Sequence, residues 1–190
     1  MRGDLLIEIQ TRNFASIKRK LEKLIINPPL RLVYPIPCEK WIIKQPHSED
    51  GPIIRRKSPK RSGFEYVFEE LVSIPELLRN PNFSIELLLI QEQEVRRYDG
   101  AHGWWRRRGW VTHERRLLKV VGQRILLSPA DMSAFIPPLL ADPFTASDLA
   151  ISIAIPRKLA QKMVYCLRFL GCITPVGKRV KSILYSRFVT

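Results

Sequence analysis

Basic side chains dominate the last part of this chain. All eighteen acidic residues lie at or before Asp148, so the segment from Leu149 to Thr190 contains no Asp and no Glu. The same segment carries eight basic residues: Arg157, Lys158, Lys162, Arg168, Lys178, Arg179, Lys181 and Arg187. Because lysine and arginine bind phosphate groups, a folded segment of this kind predicts a surface for a polyanion, and nucleic acid is the commonest one.

The composition agrees with that prediction and excludes several other classes of protein. The net charge is +14 and the isoelectric point is near 10.1, while 45% of the residues are hydrophobic, which suits one or two folded domains. No apolar run reaches the roughly 18 residues of a membrane helix, and the start lacks a secretion signal. We therefore expect a cytoplasmic protein with no membrane partner. Cys38, Cys166 and Cys172 have no metal-ligand spacing, so reduced thiols are expected.

A second group of candidate residues combines tryptophan with arginine. Trp104, Trp105 and Trp110 surround the run Arg106, Arg107 and Arg108. Arginine neutralises phosphate, and indole rings stack on bases or on guanidinium planes. The alternative is a hairpin whose tryptophans pack on the core and whose arginines are solvated, and the sequence leaves both interpretations open.

Apolar spacing predicts the elements that position the first third of the chain. Leu5–Gln10 is typical of a strand, Thr11–Ile26 of a helix with Asn13 as its N-cap, and Leu30–Ile36 of a second strand. This length of strand–helix–strand predicts two parallel neighbours. Lys40–Lys44 is a candidate third strand.

The middle of the chain is predicted to contain a linker, a helix and a hairpin. Pro and Gly punctuate Gln45–Gly63, which predicts a loop carrying the basic cluster at residues 55–61. Phe64–Leu78 has helical spacing, with a kink or restart at Pro75. Ser84–Arg97 and Val111–Val121 predict the two strands of a hairpin, with the tryptophan and arginine residues at its tip.

Three helix starts and a hairpin are expected at the C-terminal end. Capping residues precede helices at Ser128 and Thr145, and Pro156 opens a third helix that Gly171 closes. A hairpin with its turn at Gly177–Lys178 follows. This order over residues 128–190 resembles a winged helix-turn-helix.

That resemblance implies roles for the third helix and the hairpin. One side of the helix is apolar, at Leu159, Met163, Cys166, Leu167 and Leu170. The remaining surface would face the DNA major groove, with Arg157, Lys158, Gln161, Lys162, Tyr165 and Arg168. Lys178, Arg179 and Lys181 at the wing would contact the DNA backbone. The alternative interpretations are a solvated basic face or a module that binds protein.

The first strand resembles a motif of the PD-(D/E)XK nuclease superfamily. Glu8 and Gln10 stand where that family has a carboxylate and usually a lysine, and the resemblance implies catalytic roles for both, with Glu8 holding Mg²⁺. The only earlier acid is Asp4, about 13 Å away along an extended strand, which is too far to share one metal. A partner or a missing N-terminal segment would then have to complete the site. The alternative is a buried strand with a paired glutamate.

The whole chain also resembles an uncharacterised prokaryotic protein family, which brings no activity with it. The resemblance rests on three runs: residues 7–11, residues 106–110 and residues 156–163.

We therefore predict an α+β protein that binds double-stranded DNA through its C-terminal part. The expected division is a nuclease-like unit at 1–45, a basic linker and helix at 46–82, a hairpin region at 83–127 and a winged helix at 128–190. Six to eight neutralised phosphates would give a plot of log K against log salt with a slope of roughly −5 to −7. The alternatives are a Mg²⁺-dependent nuclease, which could be incomplete or inactive, and a scaffold for protein interactions.

Overall fold

A computed structural model of the chain describes residues 4–46, 52–98 and 109–188. Five strands form the larger sheet: β1 (Leu6–Ile9), β2 (Leu30–Gln45), β3 (Ile54–Lys57), β4 (Phe83–Tyr98) and β5 (Trp110–Leu126). Their order is β1-β2-β4-β5, with β3 paired to β2. A second sheet consists of β6 (Ile173–Arg179) and β7 (Ser182–Arg187). Helices lie between these strands, so the predicted α+β class is confirmed.

The chain divides into two compact units that are discontinuous in sequence. The first comprises Met1–Tyr34, Phe64–Leu87 and Arg124–Thr190, and the second comprises Pro35–Gly63 and Leu88–Gln123. Two long strands, β2 and β4, begin in the first unit and continue into the second.

The N-terminal part of the first unit is a parallel strand–helix–strand arrangement, as predicted. β1 pairs with β2 in parallel, with Leu6 opposite Leu30, and the helix α1 (Phe14–Leu24) connects them. Asn13 is the N-cap of α1, but its side chain makes no capping bond; instead the Glu70 carboxylate accepts the Phe14 N–H at 3.0 Å. Phe14 is fully buried, so this end of the helix is held by both packing and a hydrogen bond.

The strands β2 and β3 correct two predictions. The expected strands at 30–36 and 40–44 are one continuous strand. Pro35 and Pro37 are tolerated because they lie between the stretch that pairs with β1 and the stretch that pairs with β3, where no ladder hydrogen bond to those strands is required. The expected loop at 45–63 contains β3, which is antiparallel to β2 with Trp41 opposite Lys57.

The predicted pair of strands around residues 83–127 is present and longer than expected. β4 and β5 are neighbours in the sheet, and β5 extends to Leu126. Tyr98 and Trp110 pack edge to face, with ring centroids 5.6 Å apart. The strand β5 lies at the end of the sheet order.

Between β3 and β4 the single predicted helix is divided. A 3-10 helix (Phe64–Val67) leads into the short helix α2 (Phe68–Leu71), and a second 3-10 helix begins at Pro75 and ends at Arg79. The restart at Pro75 was expected, since proline cannot continue a helix but suits its first turn.

The C-terminal part of the first unit contains three helical segments. The first is a 3-10 helix (Pro129–Phe135), and the others are α3 (Ala146–Ser152) and α4 (Arg157–Phe169). Met132 and Phe135 are both buried, and a helix with three residues per turn places them on one side. At α3 the capping bonds are reciprocal: the Thr145 hydroxyl accepts the Asp148 N–H at 3.2 Å, and the Asp148 carboxylate accepts the Thr145 N–H at 2.8 Å. At the first segment the Asp131 carboxylate accepts the Ser128 N–H at 2.9 Å. Both caps lie at positions that the sequence predicted.

Candidate nucleic-acid interface

The helix α4 is fixed by its apolar side. The five predicted apolar residues are all buried: Leu159, Met163, Cys166, Leu167 and Leu170. Burial of each large side chain contributes about 1.5–3 kcal/mol, so rotation of the helix about its axis would be costly. Gly171 follows the helix with φ +81°, a conformation that glycine adopts without strain.

The opposite side of α4 is a narrow exposed row. Arg157, Gln161, Tyr165 and Arg168 are exposed and follow helical spacing, so they lie one above another. Lys158 is exposed beside this row. These residues present positive charge at both ends of the row and polar, uncharged groups between them.

The hairpin of β6 and β7 turns three residues later than predicted. Arg179 pairs with Ser182, so Val180 and Lys181 form the turn, and Val180 has φ +57°. The predicted turn at Gly177 was wrong because that glycine lies within β6, where the strand register shifts between Pro175 and Gly177. A glycine in a strand marks such a bulge as often as a turn.

Phe144 joins this hairpin to the helices. Its N–H donates to the Tyr185 carbonyl at 2.9 Å, and the Tyr185 N–H donates to the Phe144 carbonyl at 2.8 Å. Both side chains are buried. Phe144, which precedes the N-cap of α3, therefore forms a bridge to β7 that fixes the hairpin against the helical segments.

A cleft of about 410 Å³ lies between α4, β7 and the first turn of α3. Three cationic side chains line it together: Arg157, Arg168 and Lys181. Gln161 and Tyr165 contribute polar groups, and the hydroxyl-bearing residues Ser147 and Ser182 complete the lining with a few apolar side chains. Ser147 and Ser182 were not predicted, although the capping sequence at Thr145 already placed Ser147 in a helix start.

Three of the eight predicted cations are paired inside the first unit. Lys162 contacts the Glu69 carboxylate, Arg179 contacts Asp148 at 2.5 Å, and Arg187 contacts Asp142 at 3.5 Å. The absence of acids from this segment therefore does not leave all of its cations free, because acids that precede it in sequence pair with three of them in the fold.

The other five cations carry the free charge of this surface. Each is exposed, and none has a hydrogen-bond or ion-pair partner among residues 4–46, 52–98 and 109–188: Arg157, Lys158, Arg168, Lys178 and Lys181.

Asp148 has a second role besides binding Arg179. Its Oδ2 accepts the Thr145 N–H at 2.8 Å and the Thr145 hydroxyl at 2.9 Å. The backbone hydrogen bond from Thr145, followed by the side-chain bonds from Thr145 and Arg179, lowers the pKa of Asp148 against the opposing effect of burial. Arg179 is thus a structural residue of the hairpin, and less available to phosphate than its sequence position suggested.

The other predicted nucleic-acid residues lie elsewhere. Arg106, Arg107 and Arg108 are outside the residues that the structure describes. In the second unit, the Arg55 guanidinium lies 4.2 Å and the Lys57 ammonium 5.4 Å from the Trp41 ring centroid. These two cations belong to β3 rather than to a loop.

Glu8 and Gln10, the residues predicted for catalysis, each bond to a neighbouring group. Glu8 accepts a hydrogen bond from Lys20 at 2.7 Å, and the Gln10 amide donates to the Arg12 carbonyl at 2.6 Å. Within the described ranges no group of three or more His, Cys, Asp or Glu side chains is placed to hold a metal ion. Glu8 is paired, as the alternative interpretation expected, but β1 is not the buried strand of that interpretation, because Ile7 is 37% and Ile9 66% exposed. None of the helices in those ranges has the length and apolar character to cross a membrane.

Comparison with known proteins assigns a family. Residues 1–127 match the model of a domain of unknown function, DUF8091. The chain belongs to the DUF8091 family. This agrees with the resemblance to an uncharacterised prokaryotic family, and the match ends one residue before Ser128, where the C-terminal helical part begins.

One relative of this DUF8091 protein aligns with more of the chain than the 127 residues that the family model matches. An uncharacterized protein of Treponema pallidum (strain Nichols) is 27% identical over 185 residues, which are 96% of this chain and 71% of that protein. No solved structure matches the chain.

Proposed function

We propose that this protein binds double-stranded DNA through its C-terminal part, with α4 in the major groove and the turn between β6 and β7 against the backbone. The observation that carries the proposal is the cleft in which Arg157, Arg168 and Lys181 meet. These three side chains come from the two ends of one helix and from a hairpin turn. Their convergence is what a phosphate-binding surface requires.

The order of elements supports a winged helix-turn-helix arrangement. A helical segment is followed by α3, by α4 and by a two-stranded hairpin, and Phe144 bridges to β7. In that arrangement the second helix of the motif reads base edges while the hairpin touches the backbone. The exposed row of α4 contains Gln161, whose side chain carries both a donor and an acceptor for a base edge.

The side of α4 that carries Gln161 is accessible to a ligand. Its apolar side is in the core, and Tyr165 is 50% exposed. Tyr165 also stacks on Phe169 at 6.4 Å, which restricts its position in the exposed row.

Direct binding tests the proposal. A labelled duplex of about 20 base pairs should be retained by the wild-type protein in a fluorescence-anisotropy titration at low salt. The triple variant Arg157→Gln, Arg168→Gln, Lys181→Gln should bind at least tenfold more weakly. Thermal melting should be the same for both proteins, because the three side chains have no partner among the described residues. Equal binding by both would refute the assignment of this cleft.

A further inference from the structure

The strand β5 has an unusual exposed edge. It contains 17 residues, lies at the end of the sheet order and has β4 as its one partner among the strands of the described residues. The backbone N–H and C=O groups along its outer side are therefore offered to another extended chain. Edge strands in soluble proteins are commonly protected by short length, proline or a covering segment. The sequence Trp110–Leu126 contains no proline.

Both faces of this strand are exposed over seven consecutive residues, Arg115–Val121. Leu117 is 62% exposed, and Leu118, Val120 and Val121 are between 44% and 47% exposed. Successive side chains of a strand point to opposite faces, so apolar groups are presented on both sides. Such a concentration of exposed leucine and valine on one segment indicates a surface that another molecule covers.

Charge restricts what that molecule is. Arg115 and Lys119 flank Leu117 on one face, and neither has a partner among the described residues. The only acid of β5 is Glu114, and both of its oxygens accept hydrogen bonds from Arg116, at 2.8 and 2.7 Å. A second copy of this strand would bring further unpaired cations and no free acid. The complementary occupant is an acidic segment.

We propose that β5 binds an extended acidic segment of a partner protein, which adds a strand beside Arg115–Val121. Backbone hydrogen bonds to the outer edge of β5 hold that segment, and its apolar side chains cover Leu117 and Val121. Arg115 and Lys119 are four residues apart, or about 13 Å along a strand. The segment therefore carries two carboxylates four positions apart, with an apolar residue midway.

Synthetic peptides test this directly. The probe is a labelled nine-residue peptide in which valine alternates with threonine and glutamate replaces valine at positions 3 and 7. A control peptide carries lysine at those two positions. We expect the acidic peptide to bind the full chain at least tenfold more tightly than the lysine peptide, and to slow hydrogen exchange of the amides of residues 115–121.

Charge reversal gives the matched variants. The double variant Arg115→Glu, Lys119→Glu should prefer the lysine peptide and should keep its duplex affinity within threefold. Lys158→Glu, in the first unit, should weaken duplex binding and leave the acidic peptide bound. Melting midpoints check that both variants are folded, because all three side chains are exposed and lack partners in the described ranges.

Three outcomes would overturn the proposal. The first is equal binding of the two peptides to the wild type. The second is displacement of the acidic peptide by duplex DNA, which would place it on α4. The third is a concentration-dependent dimer whose formation slows hydrogen exchange of the amides of residues 115–121, which would identify a second copy as the occupant. Failure of duplex binding alone would count against the DNA proposal and would leave this one standing.

Discussion

The salt dependence of DNA affinity distinguishes free cations from paired ones. Lys158 and Lys162 lie one helical turn apart on α4, and both were predicted to contact DNA. Lys158 is exposed without a partner in the described part of the chain, whereas Lys162 contacts the Glu69 carboxylate and carbonyl. Neutralising each of them in turn is the perturbation that tests this difference.

The expected magnitude follows from the number of free cations. Five unpartnered cations on the proposed surface release about five counterions, which gives a slope of log K against log salt near −4.5 at ~0.9 per phosphate. Between about 50 and 200 mM salt the affinity should then fall roughly 500-fold. Lys158→Gln should reduce the slope by about 0.9, so that the fall is roughly 150-fold. Lys162→Gln should leave the slope unchanged within about 0.3, because its charge is already compensated.

Fluorescence-anisotropy titrations of one labelled duplex at six salt concentrations would measure these slopes. Two results would refute the reasoning: equal changes of slope in the two variants, or a wild-type slope shallower than about −2. A slope of −6 or steeper would mean that the paired cations also reach phosphate, and the original expectation of six to eight contacts would then be the better one.

Three further predictions concern other parts of the molecule. Burial would raise the pKa of Glu94, but hydrogen bonds from Arg96, Thr112 and Lys40 lower it to about 2, so it stabilises the fold above pH 4.5 and loses that effect as the pH falls towards 2. Glu94→Gln should lower the free energy of unfolding by about 3 kcal/mol at pH 7. In urea unfolding, the stability of the variant should also fall less steeply than that of the wild type as the pH is lowered towards 2. Gln161→Ala should reduce the difference in binding free energy between a selected duplex and one with a substituted base pair by about 1–3 kcal/mol. The salt slope should be unchanged. Lys20 pairs with the Glu8 carboxylate, so we expect Glu8 not to hold Mg²⁺. DNA cleavage measured in the presence of Mg²⁺ should therefore be the same for the wild type and for Glu8→Ala.

Periodicity in the sequence was enough to predict α4 and its orientation. The apolar residues at 159, 163, 166, 167 and 170 are all buried, and Gly171 ends the helix as expected. Such predictions succeed because a helix of 13 residues with one apolar side has a single favourable packing.

Long-range pairing could not be predicted in the same way. Glu69 lies 93 residues before its partner Lys162, and no local pattern links them. The segment β3 also escaped prediction, because its four residues are all exposed and show no alternation. The turn at Val180 was missed because a β-branched residue with positive φ is rare, and sequence reasoning therefore preferred the glycine.

One carboxylate links the start of α3 to the last residue of β6. Asp148 holds Thr145 at the helix cap and Arg179 at the end of the strand. Asp148 therefore holds the end of β6 next to the turn, so the turn can move away from α3 only if a hydrogen bond to the capping carboxylate breaks. A ligand bound between α4 and Lys181 would therefore enter a cleft whose width is set by Asp148, a carboxylate that is not among the residues lining the cleft.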